Sequence, residues 1–136
     1  MNFYSQRKYK VEYAFELLKI AEGDLLSAQV LFNNFGQGRK ENICYHAEQS
    51  VEKSIKAYLC FTQIPLPLTH DLGVLIDKIP ENSDFPIDRD ITSLTEYATI
   101  RRYEEGVIDL EAIDVETIIQ IATKILQWVN TKIIIP

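Results

Sequence analysis

No stretch of this chain approaches the roughly 20 consecutive apolar residues that a bilayer-spanning helix needs; the aliphatic KIIIP at 132–136 is far too short. No membrane-spanning helix is expected. The opening MNFYSQRKYK is polar and basic with no apolar run behind it, so no secretory leader is expected. Cysteine is scarce. Cys44 and Cys60 fall in one expected helix, with Cα atoms about 24 Å apart on a rigid rod, too far to bridge. They lack the CxxC spacing of a zinc site, and are expected to be reduced thiols in a cytoplasmic protein. Positive charge is in deficit: 14 Lys+Arg against 20 Asp+Glu, a formal net charge of −6. That excludes a general nucleic-acid coat, which needs a positive field, but allows a local basic site. Glycine-rich phosphate loops, HExxH and DxD are missing, so no metal and no cofactor is expected.

What is present fits a helical domain. Hydrophobic residues at 46% and charged residues at 25% are the balance of a soluble globular protein. A chain of 136 residues supports one domain with a real core and not comfortably two, so residues 1–136 are expected to form a single domain. Residues 10–35 read as a long helix, with Ala14, Leu17, Leu18, Ala21, Leu25, Ala28, Leu31 and Phe32 at helical spacing. Gly23 weakens it by about 1 kcal/mol, and Gly36 is its expected stop. A second helix covers about 40–62. Ile64-Pro65-Leu66-Pro67 is an extended connector. Thr69 or Asp71 caps a short helix at about 71–78, halted by Pro80. Residues 80–88 read as a polar, mobile loop. A fourth helix is expected at about 88–103 and a fifth, capped by Asp114, at about 114–133. No alternating strand pattern competes. The expected fold is all-α, an up-and-down antiparallel bundle of about five helices.

The second helix is central. Within Asn42–Gln63, Ile43, Ala47, Val51, Ile55, Tyr58 and Leu59 form a core stripe. His46, Gln49, Lys53 and Lys56 fall on the other side within roughly a quarter-turn of each other. Two ammonium groups, an amide and an imidazole on one face suit an anion. The same pattern also suits a solvated face, on which Glu52 and Lys56 form an i,i+4 pair worth roughly 0.2–0.5 kcal/mol. His70 follows the proline-fixed connector and can point back at this helix. Arg101-Arg102-Tyr103 can clasp a phosphate and stack a base, or pair with Glu96, Glu104 or Glu105.

The blocks YHAEQSVEKSIKAYL (45–59), PLTHDL (67–72) and YATIRRYEEG (97–106), with DLLSA (24–28) before them, resemble the HEPN domain, the higher eukaryote and prokaryote nucleotide-binding family. The resemblance spans nearly the whole chain. It implies a helical bundle, usually a symmetric homodimer, often encoded beside a small nucleotidyltransferase in toxin–antitoxin-like pairs. The family pattern falls on His46, Gln49, Glu52, Lys53, Lys56, His70, Asp71, Arg102 and Tyr103. Where many relatives carry proline after the Arg-Tyr pair, this chain has Glu104.

Three functions are compatible with these residues. The first is a nucleotide- or RNA-phosphate-binding, toxin-like component working with a nucleotidyltransferase partner, its site made of His46, Gln49, Lys53, Lys56, His70, Arg102 and Tyr103. The second is the metal-independent ribonuclease of the wider HEPN superfamily, in which an Arg precedes a His by a short spacing. Arg39 and His46 fit that spacing, the imidazole moving protons and the guanidinium stabilising phosphate charge. The third is a non-catalytic dimeric interaction module. The first reading makes a geometric demand: Arg102 must converge on the His46–Lys53 segment.

Overall fold

The computed structural model describes residues 9–87, 105–106 and 114–133, and among these there is no strand. Four α-helices are described: α1 (Val11–Phe35), α2 (Lys40–Phe61), α3 (Leu72–Asp77) and α4 (Val115–Lys132), with a single 3₁₀ turn, Gly36–Arg39, between the first two. The helix expected at 88–103 lies outside the described residues.

Helix α1 ends where the sequence says it should. Gly36 takes φ 56°, the left-handed region that suits glycine, and its N–H bonds back to the Phe32 carbonyl. The tight turn sends α2 back antiparallel along α1, as three contacts show: Asp24 meets His46, Ala21 meets Ser50 and Lys10 meets Cys60. The two helices run close because small residues line the seam. Ala14, Ala21 and Ala28 face Ala47, Ser50, Ser54 and Ala57, all without exposed surface. The Ser50 hydroxyl donates to the Ala21 carbonyl at 2.8 Å, across the seam.

Helix α2 is the centre of the domain, packed against α1, α3 and α4. Ile43, Val51, Ile55 and Leu59 are fully buried on it, each worth roughly 1.5–3 kcal/mol against exposure. On its far side α4 supplies Val115, Ile118, Ala122, Ile125 and Val129, buried residues three and four apart in the chain. Tyr58 and Trp128 meet with ring centroids 4.6 Å apart.

The caps are also as expected. Asp71 Oδ1 accepts from Gly73 N at 2.9 Å and starts α3; Asp114 accepts from Thr117 N and from the Thr117 hydroxyl and starts α4. The Thr117 hydroxyl is the main cause that lowers the Asp114 carboxyl below its ordinary range. The described part of the segment expected to be a polar, mobile loop, residues 80–87, makes contacts with α4. It is pinned, because the Trp128 indole donates to the Ser83 carbonyl at 3.1 Å and Phe85 packs edge-on against the same ring. Both cysteines are free and buried.

The connector after α2 is a strap folded over the end of the α1–α2 pair. Gln63, at φ 63°, donates from Nε2 to the Tyr9 carbonyl and accepts from Tyr9 N. The Leu66 N–H donates to the Tyr9 hydroxyl at 2.7 Å. These bonds fix the start of the strap and so decide where His70 arrives.

Candidate functional site

One of the two readings of the stripe sets Glu52 and Lys56 as a pair on a solvated face, and the pair does form. The face is not solvated at Glu52, which is only 2% exposed. It is the hub of the cation stripe. Lys53 Nζ and Lys56 Nζ donate to Oε2 at 3.1 and 3.0 Å. His70, carried in by the strap, brings Nδ1 to 3.0 Å from Oε1. Burial alone pushes the Glu52 carboxyl up, but the hydrogen bonds from Lys56, Lys53 and His70 outweigh it and hold the group below the usual carboxylate range. The carboxylate is therefore ionised and accepts only, so His70 Nδ1 carries the hydrogen between them.

The expected site residues separate into two groups. Lys53, Lys56 and His70 are joined through Glu52. His46 lies two turns away, roughly 10 Å along the helix, and its Nδ1 lies 3.1 Å from Asp24 Oδ1 on α1. The Tyr45 ring stands edge-on to that imidazole at 5.3 Å. Gln49 is half-buried between the two groups. Arg102 and Tyr103, and with them the demand that Arg102 converge on this face, lie outside the described residues. Arg39 sits on the 3₁₀ turn with its guanidinium over the Phe35 ring, 4.9 Å from the centroid, while the imidazole of His46 is turned to Asp24.

Between the strap and the α1–α2 pair lies a cleft of about 330 Å³. Lys56, His70 and Thr69 give it a polar wall; Tyr13 from α1 and Leu66, Pro67 and Leu68 from the strap give it an apolar one. That volume sits at the small end of the roughly 300–1,000 Å³ of ligand clefts. Among the described residues no group of three His, Cys, Asp or Glu side chains is arranged to hold a metal ion.

A family model of the HEPN domain matches residues 14–132. The chain belongs to the HEPN-domain family. No curated protein and no solved structure gave a match. The HEPN match runs from the first turn of α1 to the last residue of α4, so Asp24, His46, the Glu52 hub and His70 are all within it. Two members of this HEPN site, Glu52 and Asp24, were not among the residues picked out as binding groups. A carboxylate flanked by lysines at the next position and one turn on, followed by a His-bearing connector, was the available signal for Glu52. Asp24 opens the DLLSA block of the resemblance, but its pairing with His46 was not legible because that partner is on another helix.

Proposed function

We propose that this HEPN domain binds a phosphate group of a nucleotide or of RNA on the exposed side of α2, and that it acts with a small nucleotidyltransferase partner in a toxin–antitoxin-type pair. The observation that carries the reading is the Glu52 hub. Two half-buried ammonium groups and an imidazole converge on one carboxylate, beside a cleft that Lys56 and His70 line. Charged groups held at 15% and 23% exposure are screened less than groups standing free in solvent. The full proposed site is His46, Gln49, Lys53, Lys56, His70, Arg102 and Tyr103. The guanidinium of Arg102 would add a bidentate clamp and Tyr103 a stacking surface. The same proposal includes a cytoplasmic homodimer and a five-helix bundle completed by a helix at about 88–103.

Titration with a fluorescent nucleotide at two ionic strengths tests this. Lys56→Ala and Arg102→Ala should each weaken binding and flatten its salt dependence. Binding unchanged in both variants would discard the site.

One observation favours a second reading, the dimeric interaction module. Glu52 already uses both ammonium groups, while Ile20, Leu26 and Val30 on α1 are about half exposed. Light scattering decides between these: a dimer that survives loss of nucleotide binding and fails on Leu26→Glu belongs to the module.

A further inference from the structure

The cleft between the strap and the α1–α2 pair is poorly made for a polyanion. Successive free backbone N–H groups make anion-binding concavities, and the strap has almost none to give. Pro65 and Pro67 have no N–H. The Leu66 N–H goes to the Tyr9 hydroxyl and the Thr69 N–H to the Pro67 carbonyl. The formal charge around the cleft adds no attraction for a polyanion either, because Lys53 and Lys56 are matched in number by Glu52 and Asp71. Of the side chains that line the cleft, Lys56 alone carries a permanent charge.

What the cleft offers instead is an apolar slot with a single cation in it. The Tyr13 ring, about half exposed, gives one wall. Leu66, Pro67 and Leu68 give the other, and Leu68 is wholly exposed. The strap wall is in place before any ligand arrives. Gln63 Nε2 donates to the Tyr9 carbonyl at 3.0 Å, and the Leu66 N–H donates to the Tyr9 hydroxyl at 2.7 Å. A wall that needs no ordering saves that cost on binding. Lys56 Nζ donates one hydrogen to Glu52 Oε2, which leaves two for a ligand.

A flat uncharged ring with one negative charge beside it fits this slot. A nucleobase stacks on an aromatic face whatever its identity, and an internal phosphodiester carries one charge where a free triphosphate carries several. We infer that the slot takes one unpaired base of a single-stranded RNA, laid between Tyr13 and the Leu66–Leu68 wall, with that nucleotide's phosphodiester on Lys56. The inference rests on the phosphate-binding reading above, and of the two ligands which that reading allows it selects RNA over a free nucleotide.

The probe is a short mixed-sequence oligoribonucleotide with hydroxyl ends, so that every phosphate in it is a diester, and ATP is the comparison. Binding of each is followed by amide NMR over a range of salt. The oligoribonucleotide should bind more tightly than ATP. Tyr13→Ala should weaken it at least about fivefold, the loss of one base stack, and leave the salt slope alone; Tyr13→Phe, which keeps the ring, should retain the affinity. Lys56→Gln, which keeps a donor for Glu52, should flatten the slope by about 0.7, one phosphate's share. Tyr9→Phe removes the acceptor of the Leu66 N–H and should weaken binding with no change of slope. ATP that binds more tightly than the oligoribonucleotide, with Lys56→Gln weakening both, overturns the choice of RNA and leaves the phosphate site standing. RNA binding that survives both Tyr13→Ala and Leu68→Ser puts the base elsewhere and overturns the slot. A Tyr13-dependent response to a leucine- and aspartate-rich peptide, with none to RNA, overturns it in favour of a protein partner. No response of the Lys53 and Lys56 amides to RNA or ATP at low salt removes the phosphate site along with the slot.

Discussion

Removing the Glu52 carboxylate should cost the domain a large part of its stability. In Glu52→Ala, Lys53, Lys56 and His70 lose their shared acceptor at once. Breaking a buried ion pair from one side costs about 3–5 kcal/mol. The lower end applies here, because both lysine stems can swing their heads toward water. A loss of about 3 kcal/mol is a large share of the roughly 5–15 kcal/mol that holds a domain together. At this chain length it lowers the melting temperature by about 9 °C. Glu52→Gln keeps the size and one carbonyl acceptor and should lose about half as much. The pH dependence has a definite sign. Folding depresses the Glu52 carboxyl from an ordinary value of 4.5. Its stabilisation is therefore complete above 4.5 and fades as pH falls through the lower folded value. Thermal melts followed by helical circular dichroism, at neutral pH and in acid, test both parts. Wild type and Glu52→Ala melting within about 1 °C of each other at neutral pH, or a gap that does not narrow in acid, would refute the hub.

Ser54 is fully buried and its hydroxyl has no hydrogen-bond partner among the described residues, so Ser54→Ala should raise stability by about 1 kcal/mol; a urea midpoint that falls contradicts this. Burial, with the Glu48 carboxylate second, pushes the Cys44 thiol up to about 12, and burial also raises Cys60. Neither should react with a disulfide reagent at mildly alkaline pH until the chain unfolds, and rapid labelling of the native protein would show that the two thiols are not shielded by the fold. Trp128 is the lone tryptophan. Phe85→Ala should shift its emission to longer wavelength and cost roughly 3 kcal/mol, whereas an unchanged spectrum would mean that the 80–87 segment does not rest on the indole.

Features set by neighbours in the chain were legible in the sequence. The Gly36 stop, the Asp71 and Asp114 caps and the stripes of α1, α2 and α4 each depend on residues within a turn or two. The placement of Glu52 was not, because its burial follows from the strap returning His70 to α2, eighteen positions on. A lysine-flanked glutamate has the same local pattern on a wetted face. The Asp24–His46 pair needs α1 and α2 to be antiparallel in one register. The 80–88 segment looked loose because its polar composition says nothing of Trp128, forty-five positions away.

The alanine and serine seam between α1 and α2 also bears on the order of folding. A four-residue turn joins the two helices, so bringing them together closes a short loop at little entropic cost. Helix α4 has to return across more than fifty residues to reach the same partner. Local contacts form early and distant ones late, which makes the α1–α2 hairpin the nucleus on which α4 condenses. Enlarging Ala21 or Ala47 would then slow refolding, while trimming Ile125 or Val129 would mainly hasten unfolding. Until α4 arrives, the apolar side of α2 is open to water, and the newly made chain passes through that exposed interval each time it folds.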